Sequence, residues 1–200
     1  MQLGPDPKYK NERQGSGMLK AAFITDIHYG PDTKTARGDY LKKGSFARFV
    51  VNDFVEAVNK SDAQCVLNLG DNISAYNDLR DHFNMALLQH DLGDLNVPLY
   101  YTPGNNEQRS SLDPDDIEKI TGRPYDTYSK VIGGVHFVFW NPGLDTSKSQ
   151  IIQEKDLKEL KATLDLNKDI PAVVCTHIPL DNNRQFLRPH HFSSKYKYFY

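Results

Sequence analysis

The stretch Phe23-Ile24-Thr25-Asp26-Ile27-His28-Tyr29-Gly30 decides how the chain is read. It is an apolar run that stops at a carboxylate and an imidazole two residues apart. Continuous rather than alternating apolar residues suit a strand covered on both faces, as in a parallel sheet flanked by helices. Polar side chains placed where such a strand ends suit a site, because ligands of open α/β sheets lie beyond the carboxyl ends of the strands. Three later stretches repeat the plan: Leu67-Asn68-Leu69-Gly70-Asp71-Asn72, Tyr101-Thr102-Pro103-Gly104-Asn105-Asn106-Glu107 and Val173-Val174-Cys175-Thr176-His177. The expected arrangement brings these four strand ends to one place.

The segments between them supply the connections. Buried strands are expected over residues 19–25, 63–69, 97–101 and 172–176. Residues 28–43 read as a loop. In the helix expected over 46–59, Phe46, Phe49, Val50, Phe54, Val55 and Val58 recur at helical spacing with Ser45 as N-cap, and the stripe is expected to pack in the core. The next helix, Asp78–Leu92, places Leu79, Phe83, Ala86, Leu87 and His90 on its expected inner face. Pro114–Thr121 reads as a short helix with Asp113 as N-cap and Pro114 in the first position. Gly133-Gly134 joins residues 127–132 and 135–140 as a hairpin, and 153–164 is a further helix. Strand and helix alternate, so the fold class is α/β with a mixed, largely parallel sheet and right-handed crossovers. Residues 1–17 are polar and read as a disordered leader or tag, leaving 18–200 as one domain. Nothing is assigned from Asp181 onward.

Composition narrows the classes. Two hundred residues with 38% hydrophobic and 25% charged content describe an ordinary globular chain that can bury a real core. A net charge of −2 and a pI near 6.4 argue against a nucleic-acid binder, which needs a basic face. No apolar run approaches the ~20 residues of a membrane span, and no secretory signal is visible. Cys65 and Cys175 both fall in expected strands and read as reduced, packed thiols, which leans toward a cytoplasmic protein.

Asp26, His28, Asp71, Asn105 and His177 are the candidate metal ligands. This mixed nitrogen and oxygen set suits Mn, Fe, Zn or Ni better than Ca or Mg, which avoid imidazole. In an extended strand end, residues i and i+2 point the same way, so Asp26 and His28 can face one ion. Gly70 and Gly104 permit sharp turns straight off a strand. Taken singly, each residue has an ordinary reading as a turn former or a satisfied polar group. Their recurrence at successive strand ends is what points to a metal site.

Asp26-Ile27-His28, Gly70-Asp71, Gly104-Asn105-Asn106-Glu107 and His177, in that order, resemble the motifs of the calcineurin-like metallophosphoesterases, D-x-H, G-D, G-N-H-[DE] and a lone H, followed by G-H-x-H. The small cyclic-nucleotide-phosphodiesterase-like members are the nearest in kind, and the resemblance spans residues 19 to about 179. It implies a four-layer sandwich and two divalent metal ions (Mn, Fe, Zn or Ni). Asp26 and His28 would bind the first ion, Asp71 would bridge both, and Asn105 and His177 would bind the second. It also implies hydrolysis of a phosphodiester or phosphomonoester, nucleotides included, by a hydroxide held on the dinuclear site.

Two departures from the pattern bear on activity. Asn106 stands at the position of a catalytic histidine, and an amide donates a hydrogen bond but cannot deliver a proton. General acid help is worth about 10²–10⁴-fold, so a catalytically impaired metal- or phosphate-binding member is the alternative. The G-H-x-H tetrapeptide is absent, so the last strands are expected to be missing, with partial occupancy above all for the ion of Asp26 and His28. Pro189-His190-His191 reads as solvated loop. Asn72, Arg109 and Tyr29 are weaker candidates for substrate binding, and Asn72 and Glu107 could also support the ligands beside them. His136 reads as structural, and His82 and His90 as surface or core-edge.

Overall fold

The computed structural model describes residues 18–34, 41–143 and 152–178. The chain order is β1 (Ala21–Ile24), β2 (Thr33–Lys34), β3 (Leu41–Lys42), α1 (Ala47–Lys60), β4 (Cys65–Asn68), α2 (Asp78–Leu92), β5 (Leu99–Tyr101), α3 (Asn105–Arg109), α4 (Pro114–Thr121), β6 (Tyr128–Ile132), β7 (Val135–Phe139), α5 (Glu154–Asp165) and β8 (Ala172–Cys175). The expected leader 1–17 and the segment holding Pro189, His190 and His191 lie outside the described residues.

Strand β4 is buried at every position, and its alternating side chains explain the layering. It forms the centre of a parallel sheet, with β1 on one side (Ala21 opposite Cys65) and β5 on the other (Val66 opposite Leu99). Val66 turns toward Val51, Val55 and Val58 of α1 and Leu88 and Leu92 of α2. Cys65 and Leu67 turn the other way, onto Tyr128, Phe137, Phe139 and Cys175 of a second sheet. In that sheet β7 pairs antiparallel with β6 and parallel with β8. Its outer face, Val138 and Trp140, packs on Leu160 and Leu164 of α5. The result is helix, sheet, sheet, helix, the four layers and mixed strand directions expected from the sequence. Each fully buried aliphatic side chain in these interfaces contributes about 1.5–3 kcal/mol.

Both cysteines are free and buried in the sheet-to-sheet core. Burial pushes the Cys65 thiol up to about 11 and the Cys175 thiol up to about 12. The Gly133-Gly134 turn has φ of 56° and 80°, the left-handed pair that a tight hairpin needs. α4 carries the expected Asp113 cap, whose side chain accepts from the Asp116 amide. Among the described residues, no helix is long and apolar enough to cross a membrane.

Two helix faces differ from expectation. In α1 the buried stripe is Ala47, Val51, Val55 and Val58, whereas Phe46, Phe49 and Val50 are 58%, 67% and 62% exposed. A 3₁₀ turn, Gly44–Phe46, precedes the helix and places the aromatic pair on the outer side. Ser45 lies inside that turn and does not cap α1: its amide and hydroxyl both donate to Asp32 Oδ1, at 3.1 and 2.6 Å. In α2, Leu79 is 82% and Phe83 62% exposed, and the inner face is Met85, Leu88 and Leu92 with Asp81, Asn84 and Asp91. Polarity misleads there because each buried carboxylate finds a partner, although Asp81 Oδ2 has none among the described residues. Asp91 accepts from the Tyr29 hydroxyl at 2.8 Å and meets Arg48 Nε at 3.4 Å, and Asp81 accepts from the Tyr76 amide at 2.8 Å. Residues 28–43, expected as loop, contain the short antiparallel pair β2–β3.

Candidate metal centre

The loops leaving β1, β4 and β5 are fastened to one another through their backbones. Asp26 N donates to Gly70 O (2.9 Å), His28 N to Asp71 O (3.0 Å) and Tyr29 N to Asn72 O (2.7 Å). Asp26, His28 and Asp71 all take left-handed conformations, with φ of 54°, 48° and 54°. Asp and His tolerate this region better than most residues, at a cost of about 1–3 kcal/mol each. Convergence of Asp26 and His28 therefore arises differently from the i, i+2 expectation: the strand has ended at Ile24, and paired turns do the aiming. Gly70 uses its positive φ of 89°, as expected of a sharp turn. Gly104 does not, at φ −97°. It is glycine because a Cβ there would run into the Asp71 amide and carboxylate.

Asp71 is the floor of the site, its side chain 6% exposed. Its two oxygens face different imidazoles: Oδ2 lies 3.7 Å from His28 Nε2 and Oδ1 lies 3.4 Å from His177 Nε2. Asp26, 55% exposed, stands at the rim with Oδ1 3.9 Å from His28 Nε2. Asn105 Oδ1 is 3.3 Å from His177 Nε2. The outer nitrogens meet backbone carbonyls, His177 Nδ1 with Leu69 O at 2.8 Å and His28 Nδ1 with Ile73 O at 3.3 Å. An Nδ1–H donated to a carbonyl leaves the Nε2 lone pair aimed into the pocket, the tautomer a metal ligand requires. Burial, then Lys42, lower the His28 pKa, against Asp71 and Asp26, so a neutral ring is favoured. Donor atoms of Asp26, Asp71 and His177 all come within 4.8 Å of one another, close enough to share an ion. The donor set fits divalent transition ions.

The support beneath the ligands comes from Glu107. It is 1% exposed, and its carboxylate accepts the amides of Asp71 (2.9 Å), Asn72 (2.5 Å) and Gly104 (2.7 Å). Burial and the neighbouring Asp71 raise its pKa to about 7, against those three amides. Asn106 holds Asp71 from the side, its amide N donating to Oδ1 at 2.8 Å and its side-chain Nδ2 to Oδ2.

The chain matches the family model for calcineurin-like phosphoesterases over residues 19–198. It belongs to that family. A solved dimetal phosphatase from Danio rerio is similar in fold to this chain, with a TM-score of 0.65 at 16% identity, covering 82% of this chain and 70% of the other. No curated protein matches the chain by sequence.

The structure brings Asp26, His28, Asp71, Asn105, Asn106 and His177 together at one edge of the fold. Of the weaker candidates, Tyr29 and Asn72 are buried beside these residues. Tyr29 is buried, with its hydroxyl on Asp91 and its pKa raised to about 12 mainly by burial. Asn72 is 2% exposed, with its side-chain oxygen accepting from Asn68 Nδ2 at 2.8 Å. Arg109 is exposed on α3. Sequence reasoning overlooked Lys42, whose Nζ lies 3.3 Å from His28 Nδ1. No motif marks it, because a two-residue strand in a charged loop has no periodic signal.

Proposed function

We propose that the chain hydrolyses a phosphoester with two divalent ions held by Asp26, His28, Asp71, Asn105 and His177. The observation that carries this reading is the division of Asp71, one oxygen toward each imidazole, which suits a bridging carboxylate. When bound, the ions acidify coordinated water toward neutrality and offset charge on the phosphoryl oxygens. The protein's part is positional. Leu69 and Ile73 carbonyls orient the two imidazoles, and Glu107 fixes the amides of Asp71, Asn72 and Gly104. Mn, Fe, Zn and Ni all suit the donors. The substrate is a small phosphomonoester or phosphodiester, nucleotides included. A cytoplasmic setting agrees with two buried free thiols.

A second reading, an impaired binder of metal and phosphate, is favoured by one observation: the Asn106 side chain is turned onto Asp71 and has no proton to deliver. Turnover of p-nitrophenyl phosphate and bis-p-nitrophenyl phosphate by the full chain with Mn²⁺ separates the two. The hydrolase reading expects Mn²⁺-dependent turnover that Asp71→Asn removes. If only Asn106→His turns over, by the ~10²–10⁴-fold that a proton donor supplies, the impaired reading holds. Turnover unchanged in Asp71→Asn would overturn the site itself.

A further inference from the structure

We propose that Tyr29 is a positioning residue for His28: its hydroxyl bond to Asp91 of α2 holds the strained turn that aims the imidazole into the metal centre. The proposal rests on the phosphoesterase reading and adds to it the part of the fold that keeps one half of the centre in place.

The turn at His28 needs holding. Its φ of 48° is a left-handed conformation, which persists only where the surroundings over-determine it. Two backbone bonds act from the side of β4, Asp26 N to Gly70 O at 2.9 Å and His28 N to Asp71 O at 3.0 Å. These fasten one acidic loop to the other and neither loop to a helix. Tyr29 adds the missing direction. Its amide continues the ladder to Asn72 O at 2.7 Å, while its side chain leaves the loops for the helix layer.

There Tyr29 is 5% exposed and packs in the cluster of Ala47, Val51 and Leu88. Its hydroxyl donates to Asp91 Oδ2 at 2.8 Å, and the same oxygen lies 3.4 Å from Arg48 Nε of α1. A buried carboxylate is costly unless donors meet it, and a hydrogen bond to an ionised acceptor is stronger than a neutral one. Asp91 is therefore a firm anchor rather than an incidental contact. Gly30 closes the contact next door: a Cβ on it would lie 2.6 Å from Asn84 Nδ2 of α2. Loop and helix thus meet at two successive residues directly after the ligand.

The arrangement is one-sided. His177 follows β8 in the other sheet, and its ring is held by Leu69 O at 2.8 Å. Loss of the Tyr29–Asp91 bond frees the His28 turn to relax, loosening His28 Nε2 from its place 3.7 Å from Asp71 Oδ2, and leaves the His177 support as it was. Tyr29 acts through the backbone of its neighbour and not on substrate.

The test compares wild type, Tyr29→Phe, Asp91→Leu and Asp91→Asn as full chains. Tyr29→Phe removes the donor, Asp91→Leu removes the acceptor, and Asp91→Asn keeps an oxygen for the hydroxyl. In calorimetric titration with Mn²⁺, Tyr29→Phe and Asp91→Leu are each expected to weaken the step that His28→Ala weakens, by the about 10–100-fold that follows loss of a ligand's supporting partner. The step that His177→Ala weakens is expected to stay unaltered, and Asp91→Asn to bind as wild type does. The visible absorption of the Co²⁺-loaded chain, which reports ligand geometry, is expected to change in Tyr29→Phe and Asp91→Leu and not in Asp91→Asn. Either loss variant decides the matter if the other fails to fold. A lowered urea midpoint with both Mn²⁺ steps unaltered, or equal weakening of both steps, would make Tyr29 a packing residue and overturn the proposal while the phosphoesterase reading stands. Wild type that binds no Mn²⁺ would overturn both.

Discussion

The two sides of Asp71 are built unequally. On one side, His177 is held by a single carbonyl, Leu69 O at 2.8 Å, and lies 3.4 Å from Oδ1. On the other, His28 Nδ1 is shared among Ile73 O, Ser74 Oγ and Lys42 Nζ, all at 3.3 Å, and Nε2 stands 3.7 Å from Oδ2. One imidazole has its tautomer settled by a good acceptor. The other has donors and an acceptor competing for the same nitrogen, one of them a cation. The difference teaches that a shared carboxylate need not make two equivalent half-sites: pre-organisation favours the His177 side, and adjustability the His28 side.

The largest expected effect separates the two histidines. His177→Ala should weaken the tighter Mn²⁺ binding step by more than about 100-fold, beyond the 10–100-fold typical of losing a ligand's supporting partner. His28→Ala should leave that step nearly intact and weaken the second. Equal losses on the same step, in calorimetric titrations, would break the comparison. Next in size is Glu107→Gln, which puts an amide NH₂ against backbone N–H groups that now have a carboxylate. It should cost about 1–3 kcal/mol of stability in urea unfolding and 10–100-fold in Mn²⁺ affinity, on both sides at once because Glu107 holds the amides of Asp71 and Gly104. A loss confined to one side would show that the loops move independently.

The smallest effect uses a third histidine as contrast. His136 on β7 is fully buried, and neither ring nitrogen has a hydrogen-bond partner among the described residues. Burial lowers its pKa below the ordinary 6.5. As pH falls below about 6.5, the unfolded chain takes up a proton that the folded chain refuses, so stability declines from there down to the lowered folded value. His136→Leu should flatten that decline in melting curves between pH 7.5 and 5, whereas an unchanged slope would place the acid sensitivity elsewhere.

Much of this was legible in the sequence, for identifiable reasons. Continuous apolar runs marked β1, β4 and β8 as strands, although only β4 is buried throughout as expected, Phe23 of β1 being 59% and Val173 of β8 40% exposed. The Gly133-Gly134 and Asp113-Pro114 pairs marked a turn and a helix start by their own stereochemistry. The candidate ligand positions were legible because each lies two to four residues past a strand end. The inner faces of α1 and α2 were not. Phe46, Phe49, Leu79 and Phe83 are large apolar residues at helical spacing, yet they face outward, with the 3₁₀ turn ahead of α1 and the buried Asp81 and Asp91 on the inner face of α2. Nor was the cause of convergence: three left-handed residues and the Glu107 carboxylate beneath them are tertiary facts. Lys42 belongs to the same class, placed by Gly44 and Asp32 rather than by any local pattern.

The central claim is that Asp71 joins the two sides as a shared ligand. Asp71→Asn is the variant to use, because asparagine tolerates the left-handed φ of 54° and keeps the shape of the side chain. Calorimetric titration of the metal-free full chain with Mn²⁺ should show saturable binding in wild type. In Asp71→Asn, both binding steps should weaken together while the circular dichroism spectrum is preserved. Binding of undiminished affinity and stoichiometry in the folded variant would contradict the account.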